Sequence, residues 1–486
     1  MTDVARGSEQ VDGVRLPGGR PPGEPVLVTD INPADGVPLA VVAGGAEHAA
    51  RAAVDVAADA LPAWSGTLRG ARASALRAIA AAIRADAELP VLVSRETGKR
   101  LAESRAESGL AAAFFEHYAE LIAGPEQISG RWVPHTVHHV RQRPLGVVGV
   151  STPWNFPVSI PARKVAPALA AGCTVVCKPS EVAPLSGLRF AEILDAHLPP
   201  GVVTTIVGDP VAISAAWLSD PRVRGFSFTG STEVGRALAA RASAQLTHLV
   251  LELGGNAPFV LLPDLADEPP ALTAAVECLL TAKYRNNGQS CIAANQAWVP
   301  RALVDEVVEL FCAGSAGLEL GDPLDAATGL GPMALPTDAG RLDELAEDAR
   351  AHGAAVLRPH AGPLPSVGQY AEPIVLVDPG PGARCRRTEA FGPLLVVHGY
   401  DDVTEVVDDV AADPAGLGGF VCGRDVPAAR AFAARLDVGI VGVNTAAPNT
   451  PAVPFAGVGV SGVGVEGGPA GLAEFLAPQT IAVAGE

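Results

Sequence analysis

The chain has 486 residues, 48% of them hydrophobic and 18% charged, with a formal net charge of −18. It is long enough for two or three domains with a sizeable core, and too apolar to be a disordered chain. The acidic excess argues against nucleic acid or an anionic membrane surface as a partner, and no apolar run approaches the roughly 20 residues of a membrane span.

Residues 1–24 are polar and rich in Gly and Pro, without an apolar central segment, so a disordered or extended start and no signal peptide are expected. Seven cysteines (Cys173, Cys177, Cys278, Cys291, Cys312, Cys385, Cys422) lack paired spacing, which suits free thiols in a reducing cytoplasm and neither a disulfide framework nor a zinc site. Lysine is rare: Lys99, Lys164, Lys178 and Lys283 are the only four. In a chain that mostly uses Arg, a Lys marks a place that needs a compact ammonium, or is incidental.

Residues 26–42 read as short strands broken by Asn32-Pro33 and Asp35-Gly36 turns. From 46 to about 123 the chain is Ala-rich with helical periodicity, clearest over 72–85 and 101–121, and interrupted at Pro62 and Pro90. An extended ribbon follows over 132–142. Strands at 146–150, 174–177, 202–207, 223–228 and 249–253 then alternate with helices at 158–171, 184–196, 211–219 and 233–242. That rhythm predicts a parallel sheet covered on both faces, the usual home of a dinucleotide. A second α/β series runs from 257 to 443, with strands near Phe259, Trp298, Leu395, Phe420 and Val441. A Gly-rich loop over 455–468, a short helix and a strand at 480–483 end the chain. Such a terminal strand has an unpaired edge and often pairs with another subunit.

Five stretches carry chemistry. Lys283-Tyr284-Arg285-Asn286-Asn287-Gly288-Gln289-Ser290-Cys291 places a cysteine after a turn that leaves backbone N–H groups free, which suits a nucleophile that must also stabilise an oxyanion. In Thr152-Pro153-Trp154-Asn155-Phe156-Pro157, Asn155 is an oxyanion donor or a helix cap. Lys178-Pro179-Ser180-Glu181 follows a strand where a parallel sheet presents groups to a nucleotide; an acidic residue there binds ribose hydroxyls and repels a 2′-phosphate. Gly230 and Ser231, in Phe228-Thr229-Gly230-Ser231, offer a helix N-terminus to phosphate, with simple capping a compatible reading. In Leu251-Glu252-Leu253-Gly254-Gly255-Asn256, Glu252 is a general base or a carboxylate tied up by backbone N–H groups.

Occurring in this order, these motifs closely resemble the NAD(P)-dependent aldehyde dehydrogenase superfamily over about 26–483, and most resemble its succinate semialdehyde dehydrogenases. The resemblance implies two parallel-sheet α/β domains and a small β oligomerisation arm. The cofactor domain would span 25–123 and 144–254, the arm 124–143 and 470–486, and the catalytic domain 255–469. It implies Cys291 as nucleophile, Asn155 and the Cys291 N–H as oxyanion donors, and Glu252 as the base that hydrolyses the thioester. Thr152, Trp154, Lys178, Ser180, Glu181, Gly208, Gly230, Ser231, Val234, Leu253, Glu389 and Phe391 would surround the cofactor. Glu181 favours NAD over NADP. Arg163, Arg285 and Ser461 match a clamp for a distal carboxylate, where guanidinium pairs bidentately; as ordinary residues of an Arg-rich chain, Arg163 and Arg285 would instead be surface or capping groups. The implied assembly is a homodimer or homotetramer in the cytoplasm, acting on a small aldehyde.

Three departures from the family pattern stand out. The loop Pro454-Phe455-Ala456-Gly457-Val458-Gly459-Val460-Ser461-Gly462-Val463-Gly464-Val465-Glu466 lacks both usual basic residues, at Gly459 and Val465. Asp267-Glu268-Pro269-Pro270 reads as a surface-loop insertion, and Asp413-Pro414-Ala415-Gly416-Leu417 replaces a more usual turn. A CoA-acylating enzyme is a second reading, opposed by Glu252; a non-catalytic protein on the same scaffold is a third.

Overall fold

The computed structural model describes residues 10–21, 23–123 and 127–484, so the expected start and arm lie partly outside the described residues. Two short strands, β1 (Gln10–Asp12) and β2 (Val14–Arg15), precede the hairpin β3 (Val26–Ile31) and β4 (Pro38–Gly44). Four helices follow: α1 (Glu47–Ser65), α2 (Arg69–Ala85), α3 (Leu89–Thr97) and α4 (Leu101–Leu121). Pro62 lies in the last turn of α1, and Pro90 in the first turn of α3, where a missing N–H costs nothing. Neither proline breaks its helix. Gly98 ends α3 at φ +74°, and a Cβ there would sit 2.1 Å from the Pro332 carbonyl oxygen.

The antiparallel strands β5 (Gln127–Val133) and β6 (Thr136–Pro144) lead into β7 (Val147–Ser151), α5 (Ser159–Ala171), β8 (Thr174–Lys178), α6 (Pro184–His197), β9 (Val203–Ile206), α7 (Pro210–Ser219), β10 (Val223–Thr229), α8 (Thr232–Ala242) and β11 (His248–Glu252). The first sheet has the order β2-β9-β8-β7-β10-β11, with β7 to β11 parallel. Every residue of β7, β8 and α5 is buried, as expected of a sheet covered on both faces. The chain steps outward from β7 to β9, then returns to the other side of β7 with β10. This reversal opens a crevice at the carboxyl ends of β7 and β10.

A five-residue link carries the chain from Glu252 at the end of β11 to β12 (Pro258–Leu261). Then come α9 (Pro269–Tyr284), β13 (Gln296–Pro300), α10 (Val304–Ala316), α11 (Asp338–Ala351), β14 (Ala355–Leu357), β15 (Ile374–Val377), β16 (Leu394–Tyr400), α12 (Val403–Ala411), β17 (Ala415–Gly416), β18 (Gly418–Cys422), α13 (Val426–Ala433) and β19 (Ile440–Val443). The second sheet has the order β14-β15-β16-β13-β12-β18-β19, parallel except for β14. Pro269 and Pro270 open α9 and are not part of a loop insertion, because proline is preset for a helix's first turn.

The 454–466 loop contributes β20 (Val458–Gly459), which forms a separate two-stranded sheet with β17, and β21 (Gly462–Val463), which joins the edge of the first sheet beside β11. The 413–417 turn explains one of its missing basic residues. Gly459 has φ +59°, and a Cβ there would lie 2.3 Å from the Pro414 carbonyl oxygen. At the other, the Val465 N–H donates to Glu474 Oε1 (2.9 Å), whose second oxygen pairs with His248. After α14 (Gly468–Ala473), β22 (Leu476–Ala484) pairs with β6 over its whole length, longer than the expected 480–483, and forms the outer edge of the sheet β22-β6-β5.

Candidate active site

Helix α9 ends at Tyr284, and the chain then makes a tight turn, Arg285–Gly288. Asn286 (φ 53°) and Asn287 (φ 56°) take left-handed conformations that asparagine tolerates. Their side chains hold the turn. Asn286 Nδ2 donates to the Gln289 carbonyl (2.9 Å), and Asn287 Nδ2 donates to Gly98 and Pro332 carbonyls (3.1 and 3.0 Å). Cys291 emerges from this turn, half-buried, with a cavity on either side of it.

On one side is a cavity of about 330 Å³ lined by Trp154, Asn155, Gly230, Ser231, Leu253, Glu389 and Phe391, all singled out from the sequence. Thr229, Asp338 and Arg341 also line it and were not. Ser231 caps α8, its Oγ accepting from the Val234 N–H (3.3 Å), so the helix N-terminus opens here. Trp154 meets Phe391 edge-on, with centroids 5.6 Å apart. A Cβ at Gly254 would come within 2.8 Å of Glu389 Oε2, so the wall is shaped by an absent side chain. Burial pushes the Glu389 carboxyl up to about 8, against the Gly255 N–H and the charges of Arg341 and Lys283. A helix N-terminus, an aromatic pair and a buried carboxyl in one cavity together fit a dinucleotide.

The other predicted cofactor residues lie on the same sheet edge but do not line this cavity. Lys178 is buried and ion-paired to the part-exposed Glu181, and its carbonyl accepts the Thr152 N–H (3.1 Å). Ser180 Oγ accepts from the Val182 N–H (3.2 Å), and Val234 is exposed on the first turn of α8. Gly208 packs against Gly45, whose oxygen would lie 1.9 Å from a Cβ, which identifies a close backbone approach.

On the other side, Cys291 shares a narrow cavity with Glu252, Arg163, Arg285, Phe156, Asn449 and Phe455. Glu252 is only 2% exposed, and neither carboxylate oxygen has a hydrogen-bond partner among the described residues. It is therefore not tied up by backbone N–H groups. Burial first, and then the nearby Glu466, push its carboxyl well above the usual range; Lys164 and Arg163 oppose this. Burial likewise pushes the Cys291 thiol up to about 12, Glu389 and Glu252 contributing and Arg163 opposing.

The two arginines are held differently. Arg163 lies in the fully buried α5, between the rings of Phe114 and Phe455 (5.3 and 4.4 Å to the centroids), with Glu466 Oε2 at 3.7 Å. Its neighbour Lys164 pairs with the other Glu466 oxygen. Arg285 is half-buried over Phe156 (5.4 Å) and has no ion-pair partner among the described residues. Ser461 corrects the sequence reading. Fully buried, its Oγ donates to the Gly254 carbonyl (2.7 Å) and accepts from the Gly416 N–H (2.9 Å), so it pins the loop and lines neither cavity. Ser159, Thr229, Ser290 and Asn449 are the uncharged polar residues that line the cavity, and Asn449 lies in an irregular stretch with no periodicity to single it out.

The chain matches the Aldehyde dehydrogenase family over residues 23–481. It is 36% identical to a glutarate-semialdehyde dehydrogenase of Pseudomonas aeruginosa over 93% of each chain, and 36% identical to the succinate-semialdehyde dehydrogenase [NADP(+)] GabD of Escherichia coli over 87% of each. The crystal structure of an aldehyde dehydrogenase from Brucella melitensis superposes with a TM-score of 0.92 at 32% identity, covering 98% of both chains. This chain belongs to the aldehyde dehydrogenase family.

Proposed function

We propose that this protein oxidises an aldehyde bearing a distal anionic group to the carboxylic acid, with NAD as acceptor. What carries the reading is Cys291 standing between two cavities, one fit for a dinucleotide and one holding a carboxylate and two guanidiniums. The Cys291 thiol passes its proton to ionised Glu252, which lines the same cavity, as the sulfur attacks the aldehyde carbon to give a thiohemiacetal oxyanion, and Glu252 then returns that proton to solvent. Asn155 Nδ2, which spends one N–H on the Gln289 carbonyl (3.1 Å), has its second N–H for that oxygen, with the Cys291 backbone N–H as the other donor. The nicotinamide, when bound, supplies the hydride acceptor that turns the thiohemiacetal into a thioester. Glu252, in its ionised form, takes a proton from water as the water attacks the thioester carbon, releasing the acid and the thiol. Arg285 receives the distal anion, while Arg163, already engaged by Glu466, adds positive potential.

Succinate and glutarate semialdehydes are the first substrates to try, since two relatives carry those names. One of those names also specifies NADP(+). Our preference for NAD rests on Glu181, whose carboxylate would face a 2′-phosphate. We also infer assembly as a homodimer or homotetramer in the cytoplasm, through the outer edge of β22. No helix among the described residues is long and apolar enough to cross a membrane.

The test is formation of reduced cofactor from NAD and from NADP with both semialdehydes and with neutral aliphatic and aromatic aldehydes, with and without CoA. Turnover of the semialdehydes without CoA is expected. A requirement for CoA would establish the acylating reading, and no turnover of any aldehyde the non-catalytic one.

A further inference from the structure

We infer that Lys99, through its buried pair with Glu107, is a positioning residue for the oxyanion donor Asn155. The inference rests on the reading of Cys291 as the nucleophile. Lys99 is one of the four lysines and is wholly inaccessible to solvent, where an ammonium is stable only if its donors are used. All three directions are filled. Its Nζ donates to Glu107 Oε2 and to the Asn155 main-chain oxygen (2.8 Å), and stands 3.9 Å from the centroid of the Phe156 ring. The second Glu107 oxygen accepts the N–H groups of Val158 (2.9 Å) and Ser159 (3.1 Å).

Together these two side chains grip residues 155–159 at both ends: the carbonyl of Asn155 and the ring of Phe156 by Lys99, the next amides by Glu107. The Asn155 carbonyl also accepts from Asn286 Nδ2 (2.9 Å), in the turn that carries Cys291. The segment around the lysine is tied to the nucleophile turn on both sides. Gly98 before it accepts from Asn287 Nδ2, and Glu103 after it accepts the Asn286 N–H (3.1 Å). Lys99 thus sits at the seam where the helical segment α3–α4 meets the nucleophile turn. Its contact with Asn155 is to the backbone, which leaves the second N–H of the side-chain amide for the oxyanion. Phe156 extends the same grip to the substrate side, because Arg285 lies over that ring.

The test is a double-mutant cycle of Lys99→Met and Asn155→Ala. It is read by aldehyde oxidation and by hydrolysis of p-nitrophenyl acetate, which acylates Cys291 through a similar oxyanion without cofactor or aldehyde recognition. Lys99→Met alone is expected to lower kcat/KM by roughly ten- to a hundredfold, the scale of a misplaced catalytic group. In the Asn155→Ala background the same change is expected to cost less than about threefold, since the group it positions is gone. Cofactor affinity, measured by protein fluorescence, is expected to be the same in Lys99→Met as in the wild type, and the same in the double variant as in Asn155→Ala. Should Lys99→Met not accumulate because Glu107 is left unpaired, Lys99→Met/Glu107→Gln removes both charges and enters the cycle in its place. Equal losses in both backgrounds would overturn the inference. So would a crystal structure of the Lys99 variant with Asn155 Nδ2 within about 0.5 Å of its original place relative to Cys291 Sγ. If the wild type turned over no aldehyde, the functional reading would fall, while the ester and crystallographic arms would still decide the role of Lys99.

Discussion

The two sides of Cys291 are built by different means. The cofactor side is assembled largely from the carboxyl ends of β7, β10 and β11 and the turns that follow them, with backbone, glycines and a helix N-terminus shaping the wall. Its ionisable groups are two carboxyls, Asp338 and Glu389, and the guanidinium of Arg341. The substrate side is assembled from side chains on separate elements, with Leu110 on α4, Arg163 on α5, Arg285 after α9, and Asn449 and Phe455 in the loops after β19. Its one carboxylate, Glu252, is buried and disposed to be neutral, while Arg285 has no counter-ion among the described residues. A parallel sheet supplies the first kind of site wherever its strand order reverses. The second kind is set one side chain at a time, and there the substrate is chosen.

The largest effect expected is one that ignores the distinction. Cys291→Ala is expected to lower aldehyde oxidation and ester hydrolysis together by more than about 10³-fold, as loss of a nucleophile does, while cofactor binding persists. Retained ester hydrolysis would show that another group is the nucleophile. Arg285→Leu should separate the two sides. Loss of a charge-assisted pair with the substrate is expected to raise KM for a semialdehyde roughly ten- to a hundredfold and leave a neutral aldehyde nearly unchanged. Arg163→Leu is expected to impair both aldehydes, because it strips Glu466 of a partner beside Glu252. Identical profiles for the two variants would mean that the arginines act as one clamp after all.

The same contrast decides what was legible in the sequence. Alternation of buried strands and helices announces the first sheet, and its strand-end motifs announce Asn155, Gly230, Ser231 and Glu252, because local geometry ties those residues to their position. Asn449 had no such signal: it lies in an irregular stretch and reaches the cavity only through tertiary packing. Ser461 misled for a related reason. Sequence places it in the right loop but cannot say that backbone groups use its hydroxyl. Lys99 was a bare compositional oddity until the fold set it under Asn155. Gly459, a puzzling departure, follows from the neighbouring 413–417 turn, which sequence separates from it by more than forty residues.

Glu466→Gln probes the carboxylate shared by the substrate side and its buried foundations. In the proposed mechanism Glu252 works as a base only when ionised, so thioester hydrolysis is expected to rise with pH through its raised pKa. Glu466 is one cause of that rise, and Lys164 and Arg163 oppose it. Neutralising Glu466 therefore lowers the Glu252 pKa and moves the rising limb of the deacylation rate to lower pH, as rapid-quench measurements over a pH series would show. A shift to higher pH would mean that Glu466 acts mainly by holding Lys164 in place. For the cofactor, Glu181→Ser removes the carboxylate that we propose disfavours a 2′-phosphate. It is expected to narrow any preference for NAD by about tenfold, the scale of one charged contact; an unchanged ratio of kcat/KM for the two cofactors would refute the role given to Glu181.

The smallest effect expected on catalysis is the one that most directly checks the boundary of the substrate side. Ser461 Oγ joins the Gly254 carbonyl to the Gly416 N–H, and the loop's own β21 pairs with β11 beside Glu252. Removing that hydroxyl leaves the buried Gly416 N–H without its partner and the part-buried Gly254 carbonyl without its donor, and the buried group alone costs about 1–3 kcal/mol when unsatisfied. Ser461→Ala should therefore lower the thermal midpoint measurably, while KM for a semialdehyde changes less than about twofold, because no atom of residue 461 lines the cavity. A serine that instead bound the distal anion would give the reverse: an unchanged midpoint and a KM raised for the anionic aldehyde alone. Each outcome moves one readout and leaves the other in place, so a single variant decides whether the anion is met by Arg285 and its neighbours or by the loop beneath them.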